Sequence, residues 1–227
     1  GYDFEWMPKG MHALGNHCTN EAGQVGGALN HQPAIWSATD PGVQWLGTLP
    51  GFGPCSSVSA INERGNAIGL ADGCEQLIGF NDPNAFYWSA GSGMVEIRME
   101  GGYHLVAAEA INNHDQVVGT AMNHRRAAFT WHPESGFRLL EAPVEDGEFR
   151  AFDISDQGWI VGSAVFSSVV IHPILWKPGE PVQALGLPPG ITKGFGAKVN
   201  ERGQVLVTQG GPGAPGNPSR PPLIWSE

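Results

Sequence analysis

The feature that most constrains this chain is a sentence it repeats five times. "HCTNEAGQVGG" from His17, "SAINERGNAIG" from Ser59, "EAINNHDQVVG" from Glu109, "FDISDQGWIVG" from Phe152 and "AKVNERGQVLV" from Ala197 share one grammar. Each has an apolar arm, a polar turn and a second apolar arm. Self-similarity at a period of 40–50 residues belongs to propellers and other repeat architectures. Asn20, Asn62, Asn112, Ser155 and Asn200 open the five turns and lie 42, 50, 43 and 45 residues apart. Asn or Ser there can bond the backbone two residues on, and the fourth position demands a left-handed residue. Gly meets that demand in four copies, and Asp115 tolerates it at some cost. A tight hairpin with a bulge is expected at each turn.

Two further strands complete each copy. One ends on a tryptophan every time, at Trp36, Trp88, Trp131, Trp176 and Trp225. A large ring at one repeat position marks a packing site between sheets. The other alternates apolar and polar residues, as in "GVQWLG" at 42–47 and "GFRLLE" at 136–141. Strands within a copy are named A and B for the hairpin arms, C for the tryptophan strand and D for the alternating one. The last copy stops after Trp225 without a D strand, while Tyr2 to Met7 supplies an unpaired D-like strand ahead of the first A. The expected fold is all-β: a single five-bladed β-propeller of four-stranded antiparallel blades over 1–227. The N-terminal strand would close the ring by joining the C-terminal blade, leaving no orphan edge. The repeat units run approximately 2–37, 42–89, 93–132, 136–176 and 181–226.

Bulk properties narrow the partners. The 33 Gly and 18 Pro are dispersed among apolar segments and favour short strands over helices. A net charge of −10 opposes nucleic acid and anionic membrane surfaces. No apolar run approaches the roughly 20 residues of a membrane helix. A chain opening on "GYDFEW" fits a mature form whose leader was removed. Cys55 and Cys74 bracket the second hairpin nearly symmetrically, so a disulfide is expected in an oxidising compartment, with two buried free thiols as the alternative. Cys18 replaces Ala60 and Ala110 of other copies and reads as a small buried thiol.

The pattern resembles the HAF repeat family, whose "IN..GqVVG" element is followed by "HAFLW". The hallmark His survives here only as His172; Pro33, Asn84, Ala127 and Pro221 replace it elsewhere. The resemblance covers essentially the whole chain and implies propeller-like architecture and secretion, hence an extracellular or periplasmic location. It implies no established activity. The five-fold layout is also similar to five-bladed propeller lectins in architecture alone.

Function is expected opposite the uniform A–B turns, where the D–A and B–C loops vary. His31, His104, His124 and His172 fall in or beside these loops, joined by Tyr103 and Asn84 as ligand-binding candidates. Phe52, Phe80, Phe86 and Phe195 could add stacking, and Asn81 and Asn123 hydrogen bonds. Converging histidines could hold a metal ion, but no His-x-His or His-Glu-x-x-His spacing occurs, so no cofactor is required. Asp72, Glu75, Asp82, Glu145 and Asp146 are the loop carboxylates for any glycosidase-like pair. No nucleophile elbow or phosphate loop appears. A secreted, non-enzymatic module binding a glycan or extracellular protein is the favoured reading, acting as a monomer. A hydrolase or lyase with a His/carboxylate site at the channel mouth is the alternative, and a purely structural domain the third.

Overall fold

The computed structural model describes residues 11–12, 18–37, 42–52, 55–71, 84–142, 147–167, 170–209 and 221–226. The described residues are all strand and loop, with no helix. The first sheet is β1 (Met11–His12), β2 (Gln24–Leu29), β3 (Gln32–Ser37) and β4 (Val43–Trp45). The second is β5 (Ser56–Ile61), β6 (Ala67–Ala71), β7 (Asn84–Ser89) and β8 (Gly93–Glu96). The third is β9 (His104–Ile111), β10 (Val117–Asn123), β11 (Arg125–His132) and β12 (Gly136–Leu139). The fourth is β13 (Glu148–Ile154), β14 (Ile160–Ser167), β15 (Val170–Trp176) and β16 (Gln183–Ala184). The fifth has three described strands, β17 (Phe195–Val199), β18 (Val205–Thr208) and β19 (Leu223–Trp225). Each sheet is an antiparallel meander in chain order. Tyr2–Met7, expected to complete the fifth sheet, lies outside the described residues.

The turns form as their residues demand. Gly23, Gly65, Gly158 and Gly203 adopt φ between 74° and 79°, and Asp115 adopts 60°. The first residue's side chain accepts a backbone amide in every turn, and two amides in the second, third and fifth. Asn62 Oδ1, for instance, accepts the amides of Arg64 and Asn66 at 3.1 and 2.9 Å. Asn112 does the same for His114 and Gln116 at 3.0 Å each.

A second irregularity explains the recurring glycine on the B arm. Strands β5, β9, β13 and β17 each carry a bulge, at Ser59, Glu109, Phe152 and Ala197, opposite the B arm. The bulge drives an A-strand carbonyl toward the facing residue. A Cβ on Gly69, Gly119 or Gly162 would collide with the carbonyl of Ser57, Ala107 or Arg150. In the fifth copy the small residue changes sides: Val207 stands on the B arm and pairs with Gly196 on the A arm.

The core lies between consecutive sheets. Ile35 and Leu46 of the first pack with Val58, Ile61, Phe86 and Trp88 of the second. Ala60, Ile68 and Tyr87 meet Leu105, Val117 and Trp131 of the third. Val118 and Ala128 meet Phe149, Ala164 and Ile174 of the fourth, and Val161 and Leu175 meet Val205 and Val207 of the fifth. The repeated tryptophan is a packing site: Trp36, Trp88, Trp131 and Trp176 are 5–7% exposed, whereas Trp225 is half-buried. Cys18 is a buried thiol outside any disulfide, its Sγ 3.3 Å from the carbonyl of Ser59. Cys74, one half of the expected Cys55–Cys74 pair, lies outside the described residues.

Candidate functional site

The A–B turns are bonded to one another, so their end of the stack is scaffold. The amides of Asn20, Asn62 and Asn112 donate to the carbonyls of Asn62, Asn112 and Ser155 at 2.9, 2.9 and 3.0 Å. The other end is where each C strand begins beside the next A strand.

Contacts among the described residues bridge three of the junctions there. Between the first and second sheets, the Ser56 amide donates to the His31 carbonyl at 2.9 Å. Between the third and fourth, Arg126 Nη1 meets Glu148 Oε2 at 3.3 Å. Between the fourth and fifth, Ile171 accepts from Gly194 and donates to Thr192 at 2.8 and 2.9 Å. At the junction between the second and third sheets the described residues line a cavity of about 280 Å³, formed by Asn84, Glu96, Arg98, Met99, Tyr103 and His104 with the buried Ile97 and Leu105.

The cavity is positioned by a glycine turn. Gly101 and Gly102 adopt φ of 67° and 76°, both left-handed, and the Tyr103 amide donates to the Glu100 carbonyl at 3.3 Å. This sets Tyr103 against Phe137, with ring centroids 5.9 Å apart, and Phe137 against the fully buried Phe129 at 5.7 Å. The tyrosine is thus braced from the core while its residue stays only partly buried. On β8 and the residues that follow, Arg98 Nε binds Glu96 Oε2 at 2.7 Å. Arg98 is 80% exposed, so the pair contributes little stability and its donors remain accessible.

The structure brings Asn84, Tyr103 and His104 to one cavity. His124 is one hairpin away: its neighbour Asn123 reaches the Gly101 carbonyl at 3.5 Å. His31 caps the β2–β3 hairpin at φ 66°, and His172 sits within β15; neither lines the cavity. Among the described residues, no three His, Cys, Asp or Glu side chains converge to hold a metal ion. Of the stacking candidates, Phe86 is fully buried in the core and Phe52 packs against it. Phe80, Asn81, Asp72, Glu75, Asp82, Glu145 and Asp146 lie outside the described residues. Glu96, Arg98 and Met99 were not among the candidates from sequence, because the D strands read as half-exposed alternating strands. The available signal was the alternating Glu96–Arg98 pair, which other D strands lack.

A larger recess of about 380 Å³ is lined by Gly190, Ile191, Thr192, Lys193 and Gln209. Its described lining offers a single cation, no aromatic ring and none of the anticipated residues. The remaining electrostatic anomaly is internal. Asp153 and Lys198 occupy the A-strand position of Cys18, Ala60 and Ala110. Asp153 accepts the Val199 amide at 2.8 Å and lies 3.6 Å from Lys198 Nζ. Burial pushes Asp153 up to about 7, against the pull of the Val199 and Ile154 amides. Burial lowers Lys198 to about 8. Burial also raises Glu109, offset in part by the Arg150 guanidinium. None of these groups lines the cavity.

No family model matches this chain, and no curated protein does either. Among solved structures it is similar to a Mycobacterium tuberculosis puromycin-hydrolyzing peptidase, with 12% identity and a TM-score of 0.49. That match covers 77% of this chain and 29% of the peptidase chain, so this chain spans well under half of that protein. A likeness this distant assigns no activity.

Proposed function

We propose that this chain is a secreted, non-enzymatic binding module that holds a small polar ligand, the end residue of a glycan, between its second and third sheets. The observation that carries this reading is the cavity between these sheets, which brings Asn84, Tyr103 and His104 together with Glu96 and Arg98. The volume of about 280 Å³ suits a small molecule and falls near the lower end of the ~300–1,000 Å³ usual for ligand sites. A protein partner would instead need roughly 800 Å² of surface per side. The lining supports a sugar: an aromatic ring with amide, guanidinium and imidazole groups around it. A reaction is disfavoured because Glu96, the single carboxylate among the described lining residues, is held by Arg98.

The module is best read as a five-bladed β-propeller of the HAF-repeat kind, closed by Tyr2–Met7 pairing with β19, with Cys55 joined to Cys74. The fifth sheet's three described strands against four in every other sheet support that closure. A glycan array tests the function. One bound glycan class with one ligand per chain, weakened by Asn84→Ala and by His104→Ala, is expected. An array without signal, or binding untouched by both substitutions, overturns it.

A further inference from the structure

The bonding between the A–B turns has a direction, and it leaves two complementary ends. The second residue of each turn donates its backbone amide to the side chain at the second position of the next turn. Glu21 donates to the Glu63 carboxylate at 2.9 and 3.0 Å. Glu63 donates to Asn113 Oδ1 at 2.8 Å, Asn113 to Asp156 Oδ1 at 2.7 Å, and Asp156 to Glu201 Oε1 at 2.8 Å. The Asn20, Asn62 and Asn112 amides run the same way. Where Ser155 has no amide to give, Gln157 Nε2 reaches the Glu201 carbonyl at 2.8 Å.

Each turn therefore gives from its amide and receives on its side chain. The first turn is left with an exposed acceptor, the Glu21 carboxylate. The fifth is left with the Glu201 backbone amide and one hydrogen of Asn200 Nδ2, whose other hydrogen goes to Gln204 Oε1 at 2.8 Å. Packing repeats the pattern. Gln24 lies against Gly65, Gln116 against Gly158 and Trp159 against Gly203. Gln204 is exposed, and Gly23 has nothing within 4 Å of where a Cβ would be. The fifth turn, Asn200-Glu-Arg-Gly203, repeats the second, Asn62-Glu-Arg-Gly65, residue for residue.

We infer that the fifth turn docks on the first turn of the same chain, Glu201 N–H and Asn200 Nδ2 donating to the Glu21 carboxylate and the Asn20 carbonyl, with Gln204 over Gly23. The step repeats four already present, and one chain holds both ends at a high effective concentration. This joint rests on the closed-ring reading but uses residues separate from the Tyr2–Met7 strand.

Amide exchange and thermal unfolding of Glu21→Ala, beside Glu63→Ala, test it. Glu21 is exposed, so without the joint its removal should be silent. With the joint, Glu21→Ala accelerates exchange of the Glu201 amide by at least ~10-fold and lowers Tm by about 2–4 °C, as Glu63→Ala does, at every protein concentration. An unchanged Glu201 exchange rate overturns the proposal whatever the Tm shifts. An effect that grows with protein concentration also overturns it, placing the acceptor on a second chain. If deleting Tyr2–Met7 lowers Tm while Glu21→Ala changes nothing, the ring closes through its strand and the turn joint alone is wrong.

Discussion

Asn66 donates its side-chain amide to Asp115 Oδ1 at 2.7 Å across the boundary between the second and third sheets. Asn62 donates to the same oxygen at 3.0 Å, and Arg64 Nη1 reaches Oδ2 at 2.9 Å. The other turns carry Gly where this one carries Asp115, and a Gln or Trp from the preceding sheet lies against three of those glycines. The shorter Asn66 is matched by an acidic residue that reaches toward it. Asp115 holds a strained backbone because three donors surround it.

Asp115→Gly should therefore destabilise the chain despite restoring the common turn residue. Relief at φ 60° is outweighed by two buried amides left without their acceptor, a net loss of about 2–4 kcal/mol. Adding Asn66→Gln should recover part of that loss beyond additivity, since the pair then copies Gln24 and Gly65. A double-mutant cycle by urea denaturation reads the coupling.

Gly119→Ala should cost about 1–3 kcal/mol, because the new Cβ meets the Ala107 carbonyl that the β9 bulge drives inward. Gly91→Ala, with open space around it, should stay within about 0.5 kcal/mol of the wild type. Equal effects at the two sites would remove the bulge as the reason for the B-arm glycine.

Stability should depend on pH through Asp153. Its carboxyl titrates near 7 in the folded chain against about 3.9 unfolded, so the native state holds the proton more tightly. That contribution is fully present below about pH 4 and is lost as pH rises through 7. The stability of wild type relative to Asp153→Asn should thus increase by on the order of 1–3 kcal/mol from pH 7.5 to pH 4. Denaturant midpoints across that range check the slope; a flat difference contradicts it.

With three cysteines in the sequence and Cys18 buried outside any disulfide, the Cys55–Cys74 proposal predicts one titratable thiol in denaturant before reduction and three after. Three thiols in the unreduced chain isolated from an oxidising environment would refute the pairing.

The turns were legible because their chemistry is local: Asn at the first position and Gly at the fourth satisfy neighbours within four residues. The cross-turn bonds were not, since Asn20, Asn62 and Asn112 find acceptors 42, 50 and 43 residues away. The B-arm glycine was visible as a repeat, yet its cause lies on the opposite strand in a bulge that leaves no residue signature. At the candidate site, Tyr103 and His104 became candidates through the variable loop that carries them. Glu96 and Arg98 escaped because an alternating strand reads the same whether its polar face meets solvent or a cavity. Contacts across the junctions, such as Arg126–Glu148, join residues of different copies, and no single copy reveals them.

The central claim, one ligand held between the second and third sheets, is tested most directly by calorimetric titration of the array-selected glycan into two filled-cavity variants. Asn84→Trp should weaken binding at least ~10-fold, a loss of about 1.4 kcal/mol or more, with Tm unchanged, while Lys193→Trp in the larger recess binds as wild type. Full affinity in Asn84→Trp, or loss of binding in Lys193→Trp alone, would contradict the assignment.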